Sequence, residues 1–194
     1  MKVNQFTSLR LDHTQLIPYK EEHVEQYHKW MLDEEIRKLT KSELLTIKEE
    51  YEMQKSWQED KDKLTFIICN AANDKLILIG DVNIFTVPAF EVDNLVDNHY
   101  LNTGKYGEIE IMIAEKQYRG QNHGYNAIKM ILFYANQVGF DQFIVRIAVD
   151  NTQSLNFFKR IGFTKLYSNS VFNEQVLHFS HKVENCNILS FPFE

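Results

Sequence analysis

Two stretches carry residue types that can do chemistry. Glu108-Ile109-Glu110-Ile111-Met112-Ile113-Ala114 is followed closely by Tyr118-Arg119-Gly120-Gln121-Asn122-His123-Gly124. Alternate residues of a strand share a face, so Glu108, Glu110, Met112 and Ala114 lie together and the three isoleucines form the opposite, core-facing side. Two carboxylates beside a half-buried sheet face read as a general base, its pKa raised by partial burial and by its like-charged neighbour. A solvated edge with two surface glutamates is the plainer alternative. The glycine-bearing loop opens a helix, whose free N–H groups and positive dipole end suit phosphate oxygens. Arg119 adds a cation there, and Gly120 and Gly124 allow close backbone approach. An ordinary strand-to-helix turn is the plainer reading of the loop, because short glycine patterns are weak signals.

A third stretch, Asp150 to Phe163, places Asn151 between a strand and a helix, where its side chain can cap the helix or hold a ligand amide. Phe157, Phe158 and Ile161 read as helix core. Other suggestive residues carry less. His23, Tyr27 and Trp30 have helical spacing and read as packing. His178 and His181, three apart on a strand, face opposite sides and make no simple metal pair. No metal site is expected. His123 reads as a solvent-facing loop histidine that could touch a ligand. The acidic run from Glu49 to Asp62 reads as a solvated helix face able to attract a basic peptide.

The elements that must position these residues follow from periodicity and punctuation. Thr14–Ile17 is a strand ended by Pro18, and Glu21–Asp33 is a helix. Thr46-Ile47-Lys48-Glu49 is a capping box opening a second helix that runs to about Asp60. Leu64–Asn70 and Leu76–Val87 form a hairpin through the Asn73-Asp74 turn. Residues 88–105 form a polar, acidic loop insertion. Tyr106–Ala114 is a strand, and Gly120–Val138 is a helix closed by Gly139. A strand over Phe143–Val149, a helix over Thr152–Ile161 closed by Gly162, and strands over Phe163–Ser168 and Val171–Val183 complete the order β-α-α-β-β-β-α-β-α-β-β. That order predicts an α/β protein with a mixed sheet and helices on both faces.

Bulk properties narrow the classes. The 194 residues suit one domain, 1–194, able to bury a sizeable core. A net charge of −6 argues against a nucleic-acid backbone as main partner. Cys69 and Cys186 are too few for a disulfide framework, and no apolar run approaches the ~20 residues of a membrane span. The chain is expected to be soluble and cytoplasmic, with no membrane partner.

These motifs resemble a known family. Arg119-Gly120-Gln121-Asn122-His123-Gly124 is similar to the Arg/Gln-x-x-Gly-x-Gly/Ala loop of the GCN5-related N-acetyltransferases (GNAT). Asn151-x-x-Ser154 with Phe157-Phe158-x-x-Ile161-Gly162-Phe163 resembles that family's second motif, about thirty residues downstream. Leu16-Ile17-Pro18-Tyr19, Met53-Gln54-x-Ser56-Trp57 and Gly80-Asp81-Val82-Asn83 resemble the N-acetyltransferase 9-like branch. The resemblance implies a mostly antiparallel sheet, splayed between the strands over 106–114 and 143–149. It implies acetyl-CoA as cofactor, with the pantetheine arm along Met112, Ile113 and Ala114. The pyrophosphate would lie on Arg119, Gly120, Gln121, Asn122, His123, Gly124 and Tyr125. Asn151, Ser154 and Phe158 would also lie at the cofactor. Glu110 is the first candidate base and Glu108 the second. Asn122 replaces a usual glycine, and asparagine tolerates the left-handed backbone needed there. Phe158 replaces a usual tyrosine acid, which leaves water, Ser154 or Tyr125 for that role. The expected activity is acetyl transfer to an amino group of a protein or peptide. An acetyl-CoA-binding interaction protein and a small-amine acetyltransferase are the alternatives.

Overall fold

The computed structural model describes residues 1–72, 75–88, 104–184 and 187–193. The Asn73-Asp74 turn, nearly all of the 88–105 insertion and Cys186 lie outside them. Among the described residues there are nine strands and five α-helices: β1 Thr7–Leu11, β2 Thr14–Pro18, α1 Val24–Met31, α2 Glu34–Thr40, α3 Ile47–Glu59, β3 Lys63–Asn70, β4 Ile77–Val87, β5 Lys105–Ile113, α4 His123–Gln137, β6 Phe140–Ala148, α5 Thr152–Ile161, β7 Thr164–Asn169, β8 Glu174–Phe179 and β9 Leu189–Pro192. The strands form one sheet in the order β7-β8-β6-β5-β4-β3-β2-β1-β9. No described helix is long and apolar enough to cross a membrane.

Three differences from the sequence reading have local causes. β1 lies in a stretch with no element assigned from sequence; it pairs antiparallel with β2 from Leu9↔Leu16 to Leu11↔Thr14, and Asp12 takes φ +52 in the two-residue turn. β9 pairs with β1 at the sheet edge, where Pro192 leaves no inner ladder bond unmade. The helix expected over Glu21–Asp33 divides. Glu21–His23 is a 3₁₀ turn, α1 ends at Met31, and Asp33 starts α2 by accepting the Glu35 N–H at 2.8 Å.

Other devices work as read. Thr46 and Glu49 form the capping box of α3. Gly139 and Gly162 take φ +95 and +112 after α4 and α5. β5 and β6 run parallel with a register from Lys105↔Phe140 to Glu108↔Ile144, where it ends, while β5 continues to Ile113.

The chain divides into two compact units: Met1–Asn83, Glu110–Ile131 and Asn185–Glu194 make the first, and Ile84–Ile109 and Leu132–Glu184 the second. The first is built on an apolar cluster including Ile17, Tyr19, Tyr27, Trp30, Ile67 and Ala114. The second has a cluster of Val87, Tyr106, Ile144 and Val176, backed by Leu166 and Tyr167.

Candidate active site

In the first unit, β5 leads through a 3₁₀ turn at Lys116–Tyr118 into the loop before α4. Gly120 has φ +74 and Asn122 has φ +66, so two left-handed residues wrap the loop before the helix begins at His123, three residues later than read from sequence. The Asn126 N–H donates to the Asn122 carbonyl at 2.9 Å, which starts the helical ladder at this asparagine. Nothing lies within 4 Å of where a Cβ on Gly120 would be, so the backbone there is open to a ligand. Arg119 Nε donates to the Ile113 carbonyl at 2.8 Å, fixing this cation beside the end of β5. Tyr125, in the first turn of the helix, is exposed and carries Lys129 Nζ 5.2 Å from its ring centre.

Buried polar residues tie this loop to the β1–β2 turn. His123, read from sequence as solvent-facing, is 1% exposed. Its Nδ1 and Thr14 Oγ1 are hydrogen-bonded at 2.9 Å, and burial pushes its pKa down to about 4, with His13 adding to the shift. The imidazole is therefore neutral and turned inward, which leaves its backbone as the part available to a phosphate. Asn126 donates to Leu11 O at 3.4 Å and Thr14 Oγ1 at 3.3 Å, and His13 Nε2 donates to the Gln121 carbonyl at 3.0 Å. Sequence reasoning missed Thr14, His13 and Asn126. Asn126, a polar residue on an otherwise apolar helix face, was the available signal.

At the end of β5 the backbone is partly committed. The Ala114 N–H donates to Ile79 O at 2.8 Å and the Ile113 carbonyl accepts from Arg119. Glu115 anchors the strand end to α1: its carboxylate accepts from Trp30 Nε1 at 2.9 Å. Only Ile109 of the three isoleucines is buried; Ile111 and Ile113 are half-buried.

The two candidate bases part company. Glu108, in the second unit, is ion-paired with Arg146. Glu110, in the first unit, is exposed, so the burial expected to raise its pKa is not present. It interacts electrostatically with buried Lys63 and Asp81. Asn151 in the second unit uses its side chain as the cap of α5, accepting the Ser154 N–H at 3.1 Å. Phe158 is buried against Phe157 and Phe163, with ring centres 5.2 and 5.1 Å away.

Lys63 and Asp81 were not singled out as site residues from sequence. Lys63 is buried, with Nζ 3.5 Å from the Trp57 ring centre, and burial brings its pKa down to about 8. Asp81 Oδ2 accepts from Asn83 Nδ2 at 2.7 Å, and Asn83 Oδ1 accepts from Thr65 Oγ1 at 2.7 Å. Burial raises the Asp81 pKa to about 7, with Asn83 and Lys63 opposing the rise. A carboxyl with a raised folded pKa holds a proton that the unfolded chain has released. Stability therefore falls as pH rises from the unfolded value of 3.8 to about 7, a window in which Lys63 stays charged in both states. In urea unfolding at pH 5 and pH 7.5, Asp81→Asn is expected to remove roughly 2–4 kcal/mol of the wild-type loss between those pH values. Equal losses in the two proteins contradict this.

A family model described as an acetyltransferase (GNAT) domain matches residues 13–164. The chain belongs to the GNAT acetyltransferases and is an acyltransferase. Within that family it falls in the N-acetyltransferase 9-like branch. It is 41% identical over 178 residues to the N-acetyltransferase 9-like protein of Caenorhabditis briggsae, covering 90% of this chain and 86% of that one. It is 39% identical over 189 residues to the alpha/beta-tubulin-N-acetyltransferase 9 of Mus musculus, covering 93% of this chain and 73% of that one. Among solved structures, the spermidine N-acetyltransferase of Vibrio cholerae in complex with CoA and spermine shares the fold, with a TM-score of 0.67 at 14% identity over 87% of this chain and 95% of that one.

Proposed function

We propose that this chain moves an acetyl group from acetyl-CoA to an amino group of a protein or peptide by direct attack of the amine. The observation that carries the proposal is the open, doubly left-handed Gly120–Asn122 loop before α4, directly after a strand whose pairing with β6 ends at Glu108. These residues fit the cofactor. Arg119 and the backbone amides around Gly120 to Gly124 meet the pyrophosphate, and the backbone of Met112 and Ile113 meets the pantetheine amides. For Asn151, Ser154 and Phe158 the assignment rests on the family motif. When bound, acetyl-CoA supplies an activated thioester, so no enzyme nucleophile is needed.

The chain's own part is to orient the amine and take its proton. Glu110 is the base: it is exposed, so it passes the proton on to water, whereas Glu108 is held by Arg146. A backbone N–H near Ile113 would polarise the thioester carbonyl as charge develops on its oxygen. The name of the mouse relative, an alpha/beta-tubulin acetyltransferase, supports a protein acceptor. The test is to incubate the protein with acetyl-CoA and a mixed peptide library and to follow free thiol and acetylated peptides by mass. Acceptor-dependent thiol release is expected. Thermal stabilisation by acetyl-CoA without any such release would mark a binding protein instead.

A further inference from the structure

In the first unit, Tyr27 and Met31 of α1, Glu43 and Leu45 of the α2–α3 connection, and Glu50 and Trp57 of α3 line a cleft of about 250 Å³. That is the size of a single side-chain subsite, smaller than a pocket for a whole ligand. Glu50 is 1% exposed, and neither of its carboxylate oxygens has a hydrogen-bond partner among the described residues. His28 faces it, with Nδ1 3.7 Å from Oε1, past hydrogen-bonding distance, and is charged only when protonated. Burial raises the Glu50 pKa and His28 opposes the rise.

A buried carboxylate whose facing donor, His28 Nδ1, stays beyond hydrogen-bonding distance is destabilising, and such groups in folded proteins are normally satisfied. Removing it from water is justified by a ligand that brings the missing donors. The walls restrict which ligand. Met31, Leu45 and Met53, with the Tyr27 and Trp57 rings, offer apolar contact along a stem, and exposed Glu43 adds a second negative charge on the lining. We propose that this cleft is a subsite for a cationic group on an apolar stem, a lysine or arginine side chain of the peptide acceptor, with Glu50 as its counter-ion. The proposal rests on the acetyl-transfer reading for its peptide source, while the cation chemistry stands on the cleft alone.

The test compares wild type with Glu50→Gln on paired peptides that differ only in carrying arginine or its uncharged analogue citrulline near the amine. Wild type is expected to favour the arginine peptide at least tenfold in kcat/KM, and Glu50→Gln to bring that ratio to within twofold of one. Glu50→Gln is also expected to raise Tm, since it removes an unsatisfied buried charge. A structural Glu50–His28 pair gives the opposite sign. An unchanged arginine preference in Glu50→Gln, or a lowered Tm, overturns the subsite. Spermidine acetylated in preference to every peptide, with the same Glu50 dependence, overturns the peptide source. If neither protein acetylates any acceptor, N-acetyl-argininamide is titrated against both and followed by indole fluorescence. Binding lost in Glu50→Gln then supports the subsite while the transfer reading fails, and equal or absent binding overturns the subsite.

Discussion

Glu110→Gln is expected to lower kcat for a lysine-type acceptor by about 10²-fold or more, while acetyl-CoA binding stays within twofold of wild type. The reason is proton inventory. A lysine amine has a reference pKa of ~10.4, so at neutral pH only about one in a thousand molecules can attack. A carboxylate near the amine accepts the proton directly or through water, and a carboxamide of the same shape cannot. Glu110 is exposed, so its replacement leaves core packing alone, though buried Lys63 and Asp81 feel the lost charge. An α-amine, with a reference pKa of ~7.7–8.0, is substantially neutral at pH 8, and the same substitution should then cost much less there. Steady-state kinetics on an α-amine peptide and on an N-acetylated lysine peptide, from pH 6.5 to 9, read both effects. Full activity on both at every pH removes Glu110 from the mechanism.

Gly80→Ala is expected to destabilise the protein by about 3 kcal/mol or more and to weaken acetyl-CoA binding with it. A Cβ on Gly80 would sit 2.0 Å from the Met112 carbonyl oxygen and 3.0 Å from its carbon. Both contacts are to backbone, so no rotamer change relieves them, and either β4 or the Met112–Ile113 stretch must move. That stretch is the proposed seat of the pantetheine arm, so stability and binding are lost together. Gly120→Ala is the informative contrast: it meets no neighbour and is strained only by its φ of +74. Urea unfolding and cofactor titration of the two variants separate the mechanisms. A Gly80→Ala protein with wild-type Tm contradicts the close approach.

The elements that carry the site were legible because they have strong local signatures. The capping box at Thr46 and Glu49, the left-handed Asn122, and Gly139 and Gly162 after their helices each act at the position read. The pattern of β5 gave the strand, but its alternation suggested three buried isoleucines and only Ile109 is buried. Ile111 and Ile113 lie beyond the end of the β5–β6 register at Glu108, a fact that lives in topology. β1 and β9 are short and lie at or next to the sheet edge, so their pairing, more than their composition, defines them. The Thr14–His123 contact spans over one hundred residues and Glu50 is one glutamate in an acidic run. No local pattern distinguishes either one.

The inward turn of His123 has a consequence for how the protein answers to acidity. With that imidazole neutral down to about pH 4, the charge of the Arg119–Gly124 loop is set by the guanidinium of Arg119 and by backbone dipoles. Under the proposed function, anion holding falls to Arg119 and the loop backbone and proton acceptance to Glu110, two separate parts of the first unit. A pH–rate profile measured at saturating donor then speaks for the chemistry of the amine alone.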